Sequence, residues 1–179
     1  YVDELARWAT SFFIDRVNAA TGFRGSYRPG LYSVSAHIAF GKATAATPDG
    51  RFAHTPLSDG ISPVQSMDKN GPTAVLKSVS VLDTLNCGNG TLLNMKFHPK
   101  SVEGAEGNNK IKDLVKTFFS LGGMHIQFNV VSGDTLRAAQ KNPEEYKDLV
   151  IRIAGFSAYF IELYKELQDD LIRRTEQVV

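Results

Sequence analysis

The segment from residue 149 to residue 177 holds the polar side chains with the most unusual setting in the chain. Arg152, Gly155, Ser157 and Tyr159 stand among apolar residues in the run Leu-Val-Ile-Arg-Ile-Ala-Gly-Phe-Ser-Ala-Tyr-Phe-Ile. A glycine between a strand and a helix most often serves a turn that needs a positive φ. The apolar neighbours here predict a loop that is buried rather than exposed. This glycine and its polar neighbours are therefore the first candidates for chemistry.

Other reactive residue types lack the spacing that their chemistry needs. His54, Ser58 and Asp59 are the residue types of a hydrolase triad, but no nucleophile elbow surrounds the serine. The four histidines show no metal-ligand spacing, so no metal site is expected. They are His37, His54, His98 and His125. The glycine-rich stretch 86–90 lacks the spacing of a phosphate loop, which argues against a nucleotide site.

Four segments with strand patterns would position the glycine loop. They lie at residues 33–40, 92–98, 125–131 and 149–153. In the third of these, His125, Gln127 and Asn129 alternate with apolar residues and share one face. That face predicts an interior hydrogen-bond network near the glycine loop.

Helical patterns lie between these strands. They predict a first helix ending near residue 20 with an apolar stripe, a helix from Pro72 to about residue 83, a helix capped by Asn109, two short helices after residue 131, and a last helix at about 161–175. In the last helix, Tyr164, Leu167 and Leu171 are predicted on the buried side. Its charged residues are predicted to form a solvated face. These are Glu162, Lys165, Glu166, Asp169 and Asp170. Strands separated by helices indicate an α/β fold.

Composition excludes several functional classes. The 179 residues carry 20 basic and 19 acidic side chains, a net charge of +1, which gives no electrostatic reason to expect nucleic acid or an anionic membrane surface. No apolar run approaches the roughly 20 residues that span a bilayer. Cys87 is the single cysteine, which favours a reducing cytoplasm, and we predict it to be a small buried residue. The absence of an initiator Met suggests a fragment or a processed product.

Residues 152–160 resemble the signature of the glycyl radical enzymes, the pyruvate formate-lyase-like family. Five further blocks resemble the same family in family order. They lie at residues 29–35, 55–63, 69–74, 89–94 and 125–131. Together the six blocks cover almost the whole chain. The resemblance implies the C-terminal portion of a ten-stranded α/β barrel, with residues 1–148 as barrel and residues 149–179 as the glycyl radical loop and terminal helix.

The resemblance implies that Gly155 stores a radical on its α-carbon. Such a radical is stabilised by delocalisation into the flanking amide groups, which requires a flat arrangement that a side chain would hinder, so glycine suits it. Arg152, Phe156 and Tyr159 are then expected to position the loop. Tyr32 and Arg174 match positions that approach the substrate in the glycerol dehydratase type.

The family mechanism also implies partners. A separate activating enzyme, using S-adenosylmethionine and an iron–sulfur cluster, would install the radical, and no cofactor would be bound by this chain. The radical would then pass to a cysteine carried by the upstream half of the same enzyme. A homodimer is expected, without nucleic acid or membrane.

The sequence around Ala154 and Phe156 resembles that of the dehydratases and lyases more than that of the pyruvate formate-lyases proper. It favours a C–O or C–N lyase that acts on a small hydroxylated substrate, with a formate acetyltransferase as an alternative. A stand-alone glycyl radical repair subunit is a further alternative. A catalytically silent α/β binding domain is an alternative of another class.

Overall fold

The structure, a computed structural model, describes residues 1–178. The α-helices are α1 (Val2–Ala19), α2 (Ala36–Ala43), α3 (Pro72–Val79), α4 (Gly104–Ser120), α5 (Gly133–Lys141) and α6 (Lys165–Arg173). The strands are β1 (Thr21–Gly22), β2 (Gly25–Ser26), β3 (Asn94–Phe97), β4 (Gln127–Val130), β5 (Val150–Arg152), β6 (Ser157–Tyr159) and β7 (Glu176–Gln177). Short 3₁₀ turns lie at Pro99–Val102, Pro143–Tyr146 and Phe160–Glu162.

A parallel sheet in the order β4-β3-β7 lies at the centre of the fold. Strand β3 runs between its two neighbours, and helix α4 makes the crossover from β3 to β4. The register pairs Asn94 with Gln127 and Lys96 with Asn129. Because side chains alternate along a strand, these four polar residues share one face of the sheet. We call this face, Asn94, Lys96, Gln127 and Asn129, the polar face.

Two apolar cores lie beside the sheet. One core takes the opposite face of β3 and packs Met95 and Phe97 with residues of α3 and with Phe118 of α4. The other core joins α5, α6 and the β5–β6 hairpin, with Leu136, Ile151 and Leu171 among its buried members. Asn94, Lys96 and Gln127 of the polar face are buried, and Asn129 is partly buried.

The predicted strand at 33–40 is wrong, because helix α2 occupies Ala36–Ala43. Its buried residues are His37, Ile38 and Gly41, a helical spacing that the period-two pattern concealed. A Cβ on Gly41 would meet the Thr55 carbonyl oxygen, so the helix lies directly against backbone. This long-range contact decides the conformation of the segment.

Other boundaries also differ from the sequence prediction. Helix α4 begins at Gly104, so Asn109 lies inside the helix and is not its cap. Residues 149–153 do not lead directly into the last helix, because β6 returns antiparallel to β5 and helix α6 begins only at Lys165. Tyr164 is 47% exposed and does not lie on the buried side.

Mixed α/β architecture, as predicted, is confirmed. The apolar stripe of α1 is exposed in this chain, with Trp8 64% exposed. Within residues 1–178, no helix combines the length and the apolar character needed to cross a membrane.

Candidate functional site around Gly155

Gly155 lies at the tip of the β5–β6 hairpin. Arg152 pairs with Ser157 at the last step of the ladder, and the Ile153 N–H donates to the Phe156 carbonyl oxygen at 2.9 Å. The φ angle of Gly155 is +78°, in the left-handed region that L-residues rarely adopt. A Cβ built at this position would meet nothing within 4 Å. Backbone conformation, rather than crowding within the described residues, therefore requires the glycine.

The tip is exposed within the described residues, so the burial of the loop stays a prediction. Gly155 and Ser157 are exposed, and Phe156 and Tyr159 are 47% and 45% exposed. Only the base of the hairpin is buried, at Ile151, Ile153 and Phe160. Some apolar residues of the segment are therefore buried in the core, whereas others are exposed at the surface of this chain.

Two amide side chains of β4 hold the hairpin backbone from the polar face. The Asn129 Nδ2 donates to the Arg152 carbonyl oxygen at 2.8 Å, and the Arg152 N–H donates to Asn129 Oδ1 at 2.9 Å. The Gln127 Nε2 donates to the Ile153 carbonyl oxygen at 2.8 Å, while Gln127 Oε1 accepts from the Gly155 N–H at 3.2 Å. These side chains take the place of a neighbouring strand. The predicted hydrogen-bond network is confirmed for Gln127 and Asn129 but not for His125, which lies before β4 and whose buried Nδ1 has no hydrogen-bond partner among the described residues.

The Arg152 side chain contributes to the same anchor. Its Nε donates to Gln127 Oε1 at 3.3 Å, and its Nη1 lies 3.4 Å from the Ser157 hydroxyl oxygen. This contact spans the hairpin from β5 to β6. Phe156 and Tyr159, by contrast, take part in the hairpin through their backbone groups, while their side chains are exposed.

Asn94 continues the network behind Gln127. The Gln127 Nε2 donates to Asn94 Oδ1, and the Asn94 Nδ2 donates to the Ile153 carbonyl oxygen at 3.0 Å and to Asp59 Oδ2. Asn94, Gln127 and Asp59 are 7%, 8% and 2% exposed, so these bonds are shielded from competing water. A chain of three side chains thus connects Asp59 to the Gly155 amide.

A buried ionic cluster surrounds Asp59. The Arg174 Nη2 lies 3.0 Å from Asp59 Oδ2 and 2.9 Å from Asp170 Oδ2. The His37 Nε2 lies 3.3 Å from Asp170 Oδ2, and the Gln65 Nε2 donates to Asp170 Oδ1 at 2.6 Å. Burial acts to raise the pKa of Asp170, but the His37 hydrogen bond and the Arg174 charge outweigh it and hold that pKa below its usual value.

Asp170 was predicted to face solvent, and this prediction is wrong. Its side chain is fully buried. Asp170 lies three residues after Leu167 and one before Leu171, both of which are buried, so it belongs to the inner face of α6. Charge alone did not reveal this, because a buried carboxylate needs partners that only the tertiary structure supplies.

Lys96, a buried member of the polar face, contacts the last turn of helix α6. Its Nζ donates to the carbonyl oxygens of Leu171 and Ile172 at 3.2 and 3.1 Å, near the end of α6. Burial is the main cause that lowers the pKa of Lys96 to about 8, although Glu176 partly opposes it. This lysine therefore joins the sheet to the last helix.

The two residues predicted on the substrate side lie in different surroundings. The Tyr32 hydroxyl, on an exposed residue, accepts from the Asn89 Nδ2 at 2.7 Å. Arg174 lies in the ionic cluster, and its Nη1 is a buried atom without a hydrogen-bond partner among the described residues. Ser33, next to Tyr32, donates to Asp59 Oδ1 at 3.1 Å and so links the Tyr32 segment to the cluster.

The remaining candidates do not assemble into other sites. The His54 Nδ1 donates to the Lys42 carbonyl oxygen at 2.7 Å, while Asp59 is engaged with Asn94 and Arg174. Cys87 is 1% exposed, as predicted, and burial raises the pKa of its thiol. Within residues 1–178, no group of three or more His, Cys, Asp or Glu side chains is placed to hold a metal ion.

Sequence reasoning missed five members of the site: His37, Asp59, Asn94, Lys96 and Asp170. For Asn94 and Lys96 a signal was present, because both lie at alternate positions of a strand whose other positions are apolar. The other three come from loops and helices, where no local period marks them.

Comparison with known proteins assigns the chain to a protein family. The family model described as glycine radical matches residues 57–161, which include Asp59, Asn94, Gln127 and Gly155. The chain belongs to the glycine radical family. This assignment confirms the resemblance on which the expectation for Gly155 rests.

Three relatives illustrate the similarity. The trans-4-hydroxy-L-proline dehydratase of Clostridioides difficile is 43% identical over 99% of this chain and 22% of its own length. The isethionate sulfite-lyase of Bilophila wadsworthia (strain 3_1_6) is 49% identical over 96% of this chain and 21% of its own length. The glycerol-bound structure of the B12-independent glycerol dehydratase from Clostridium butyricum matches with a TM-score of 0.96 and 48% identity, over 99% of this chain and 23% of that one. The chain therefore spans little more than a fifth of the length of these relatives.

Proposed function

We propose that Gly155 stores an organic radical on its α-carbon and that this chain is the C-terminal, radical-bearing part of a longer lyase. The observation that carries the proposal is a left-handed glycine at a hairpin tip whose amide is held by a buried glutamine, inside the region that the family model matches. The glycine has no Cβ that would hinder a flat radical centre. The proposal takes residues 1–148 as part of the barrel and residues 149–179 as the radical loop and terminal helix.

The proposed chemistry consists of hydrogen-atom transfers. An activating enzyme of the S-adenosylmethionine type removes one hydrogen atom from the Gly155 α-carbon. In turnover, a cysteine thiol outside this chain gives its hydrogen atom to that carbon, which restores glycine and leaves a thiyl radical. The thiyl radical takes a hydrogen atom from the substrate and later returns it. The anchors on Gly155 serve this exchange by fixing where the α-carbon lies.

Burial of the radical loop is also part of the proposal. Phe156 and Tyr159 expose apolar surface at the tip, and the chain spans only about 22% of its relatives' length. We propose that the part of the enzyme outside this chain covers the tip and excludes water from it. Arg152 holds the loop by its side chain, whereas Phe156 and Tyr159 hold it by packing against that cover.

For the substrate, we propose a small hydroxylated molecule that loses a C–O or C–N bond. Support comes from the names of the similar proteins, two of which are dehydratases of hydroxylated molecules. Tyr32 and Arg174 are the proposed substrate-side residues. The exposed Tyr32 and the unpartnered Nη1 of Arg174 support this role, because both can offer a hydrogen bond to a hydroxyl group.

The proposed partners are the activating enzyme, the upstream half of the same enzyme with its cysteine, and a second copy in a homodimer. We propose the cytoplasm as the location.

Anaerobic electron paramagnetic resonance of the full-length protein, co-expressed with its activating enzyme, tests the proposal. We expect a doublet from the single remaining α-hydrogen, and its collapse when the protein is made with α-deuterated glycine. A Gly155→Ala variant, whose Cβ would meet no atom of the described residues within 4 Å, should lack the signal, and its unfolding transition checks that it is folded. A silent spectrum with a demonstrably active activating enzyme would favour a scaffold without radical chemistry.

A further inference from the structure

We propose that Gln127 is the positioning residue of the radical centre and that Asp59, acting through Asn94, fixes the direction in which the Gln127 amide points. We call these three residues, Asp59, Asn94 and Gln127, the amide relay. The inference rests on the proposed function of Gly155. It concerns how the glycine is held.

The first step is the contact itself. Gln127 holds the backbone on both sides of Ala154, because its Oε1 accepts from the Gly155 N–H and its Nε2 donates to the Ile153 carbonyl oxygen. The bond from the Gly155 N–H holds the peptide group that joins Ala154 to Gly155, and the bond to the Ile153 carbonyl oxygen holds the peptide group before it. The peptide group that joins Ala154 to Gly155 is one of the two into which a radical at the Gly155 α-carbon would delocalise. Gln127 therefore controls the rotation that determines this delocalisation.

The second step is the direction of the amide. A side-chain amide can be reversed, and only its partners decide which end accepts. A carboxylate accepts and does not donate, so Asp59 requires the Nδ2 end of Asn94. Asn94 Oδ1 then faces Gln127 and requires its Nε2 end. The Ile153 carbonyl oxygen, which accepts from both amides, favours the same direction.

The consequence is that Gln127 Oε1 is left to face Gly155. A reversed Gln127 would place its NH₂ group against the Gly155 N–H and the Arg152 Nε, which are both donors. Burial makes such a mismatch costly, because water cannot replace the missing acceptor. Asp59 is itself held by donors, with Ser33 on one oxygen and Arg174 on the other. The buried carboxylate of Asp59 thus fixes the orientation of the Asn94 amide, and Asn94 fixes the orientation of the Gln127 amide that contacts Gly155.

The chain supplies a matched control for Gln127. Gln168 is 8% exposed, as is Gln127, and its Nε2 also donates to two backbone carbonyl oxygens, those of Phe160 and Leu163. None of its partners belongs to the amide relay. Gln127→Met and Gln168→Met therefore each remove buried bonds from an amide nitrogen to a backbone carbonyl oxygen, but only the first also removes the bonds with Gly155, Asn94 and Arg152.

The first measurement is amide hydrogen exchange in the full-length protein before activation, with residue-level resolution at 153–157. We expect the Gly155 N–H to be protected in the wild type although the hairpin tip is exposed in this chain. Gln127→Met should accelerate its exchange by about two- to tenfold, the range expected for the loss of one net hydrogen bond. Asp59 contacts neither Gly155 nor Ile153, and Asp59→Asn should accelerate the exchange of the Gly155 N–H by a smaller factor. Gln168→Met should leave the Gly155 rate unchanged.

The second measurement is the paramagnetic resonance spectrum of the activated proteins, with ¹⁵N-labelled glycine. We expect Gln127→Met and Asp59→Asn to shift the α-hydrogen splitting and the ¹⁵N coupling in the same direction, and Gln168→Met to superimpose on the wild type. A loss of stability alone would lower the signal without moving these couplings.

The outcomes separate the two proposals. One outcome is a doublet in the wild type together with a Gln127→Met variant whose couplings and Gly155 exchange rate equal those of the wild type. That outcome would overturn the amide relay and leave radical storage intact. Equal effects of Gln127→Met and Gln168→Met would also overturn it, because the contact with Gly155 would then not matter. A silent wild type would overturn radical storage and with it the role of Gln127 at a radical centre, even if the exchange data reveal the contact.

Discussion

Asn129 and Arg152 exchange two hydrogen bonds, so that a side chain of β4 pairs with the backbone of β5 as a neighbouring strand would. The Asn129 Nδ2 lies 2.8 Å from the Arg152 carbonyl oxygen, and the Arg152 nitrogen lies 2.9 Å from Asn129 Oδ1. An amide side chain matches the peptide group in its donor and acceptor, which explains why it suits this position. The base of the hairpin is thereby fixed to the central sheet.

The first prediction concerns this pair. Asn129→Leu should lower the free energy of opening of the hairpin by about 1–3 kcal/mol, because a partly buried N–H and C=O lose their partner. Hydrogen exchange of the β5 and β6 amides in the full-length protein measures it. Asn108→Leu, at an exposed position of α4, is the control and should leave these amides unchanged. Equal protection in both variants would contradict the prediction.

A second prediction compares a buried and an exposed carboxylate of helix α6. Asp170→Asn should destabilise the protein by about 3–5 kcal/mol, because Arg174 and His37 lose a buried charged partner. Glu166→Gln breaks the 2.7 Å pair with Lys42, whose side chains are 49% and 56% exposed, and should cost less than about 1 kcal/mol. Denaturant unfolding of both variants measures the difference.

The pH dependence of the first variant provides its own check. The pKa of Asp170 is lowered in the folded protein, so its contribution is present above the unfolded value of about 3.9 and is lost as the pH falls through the folded value. Wild type and Asp170→Asn should therefore converge in stability at acid pH. A constant difference between them down to the lowest accessible pH would argue against the ionic cluster.

A third prediction concerns Lys96. Its pKa is lowered to about 8 in the folded protein, chiefly by burial, whereas an unfolded lysine titrates near 10.4. Between about pH 8 and pH 10.4 the unfolded state binds more protons, so the free energy of unfolding should rise with pH in this window. Lys96→Met should remove this rise.

Calorimetric Tm values of the full-length protein at pH 7 to 10 measure this effect. Lys77→Met, at an exposed position of α3, is the control and should follow the wild type. Parallel curves for wild type and Lys96→Met would show that burial does not lower the Lys96 pKa.

A fourth prediction compares two glycines that are required for different reasons. Gly155→Ala should destabilise by about 1 kcal/mol, since it places a Cβ at a φ of +78° without contacting any atom within 4 Å. Gly41→Ala should destabilise more, although alanine favours helices, because its Cβ would meet the Thr55 backbone in helix α2. Thermal unfolding of the two variants gives the order, and a larger loss in Gly155→Ala would contradict it.

The sequence by itself determined the local parts of the site. The alternation in β4 predicted that Gln127 and Asn129 share a face, and the setting of Gly155 predicted a turn after a strand. Both predictions rest on a backbone period or on the conformational freedom of one residue, which a short stretch of sequence is enough to encode.

Only the tertiary structure decided which side chains meet. Asp59, Asn94 and Gln127 come from a loop and two parallel strands, and the Asp59–Arg174 pair spans most of the chain. Asp170 became a buried ion and residues 36–43 became a helix because partners distant in sequence made those states favourable. Such partners leave no local period, so these contacts depend on the packed fold rather than on any single segment.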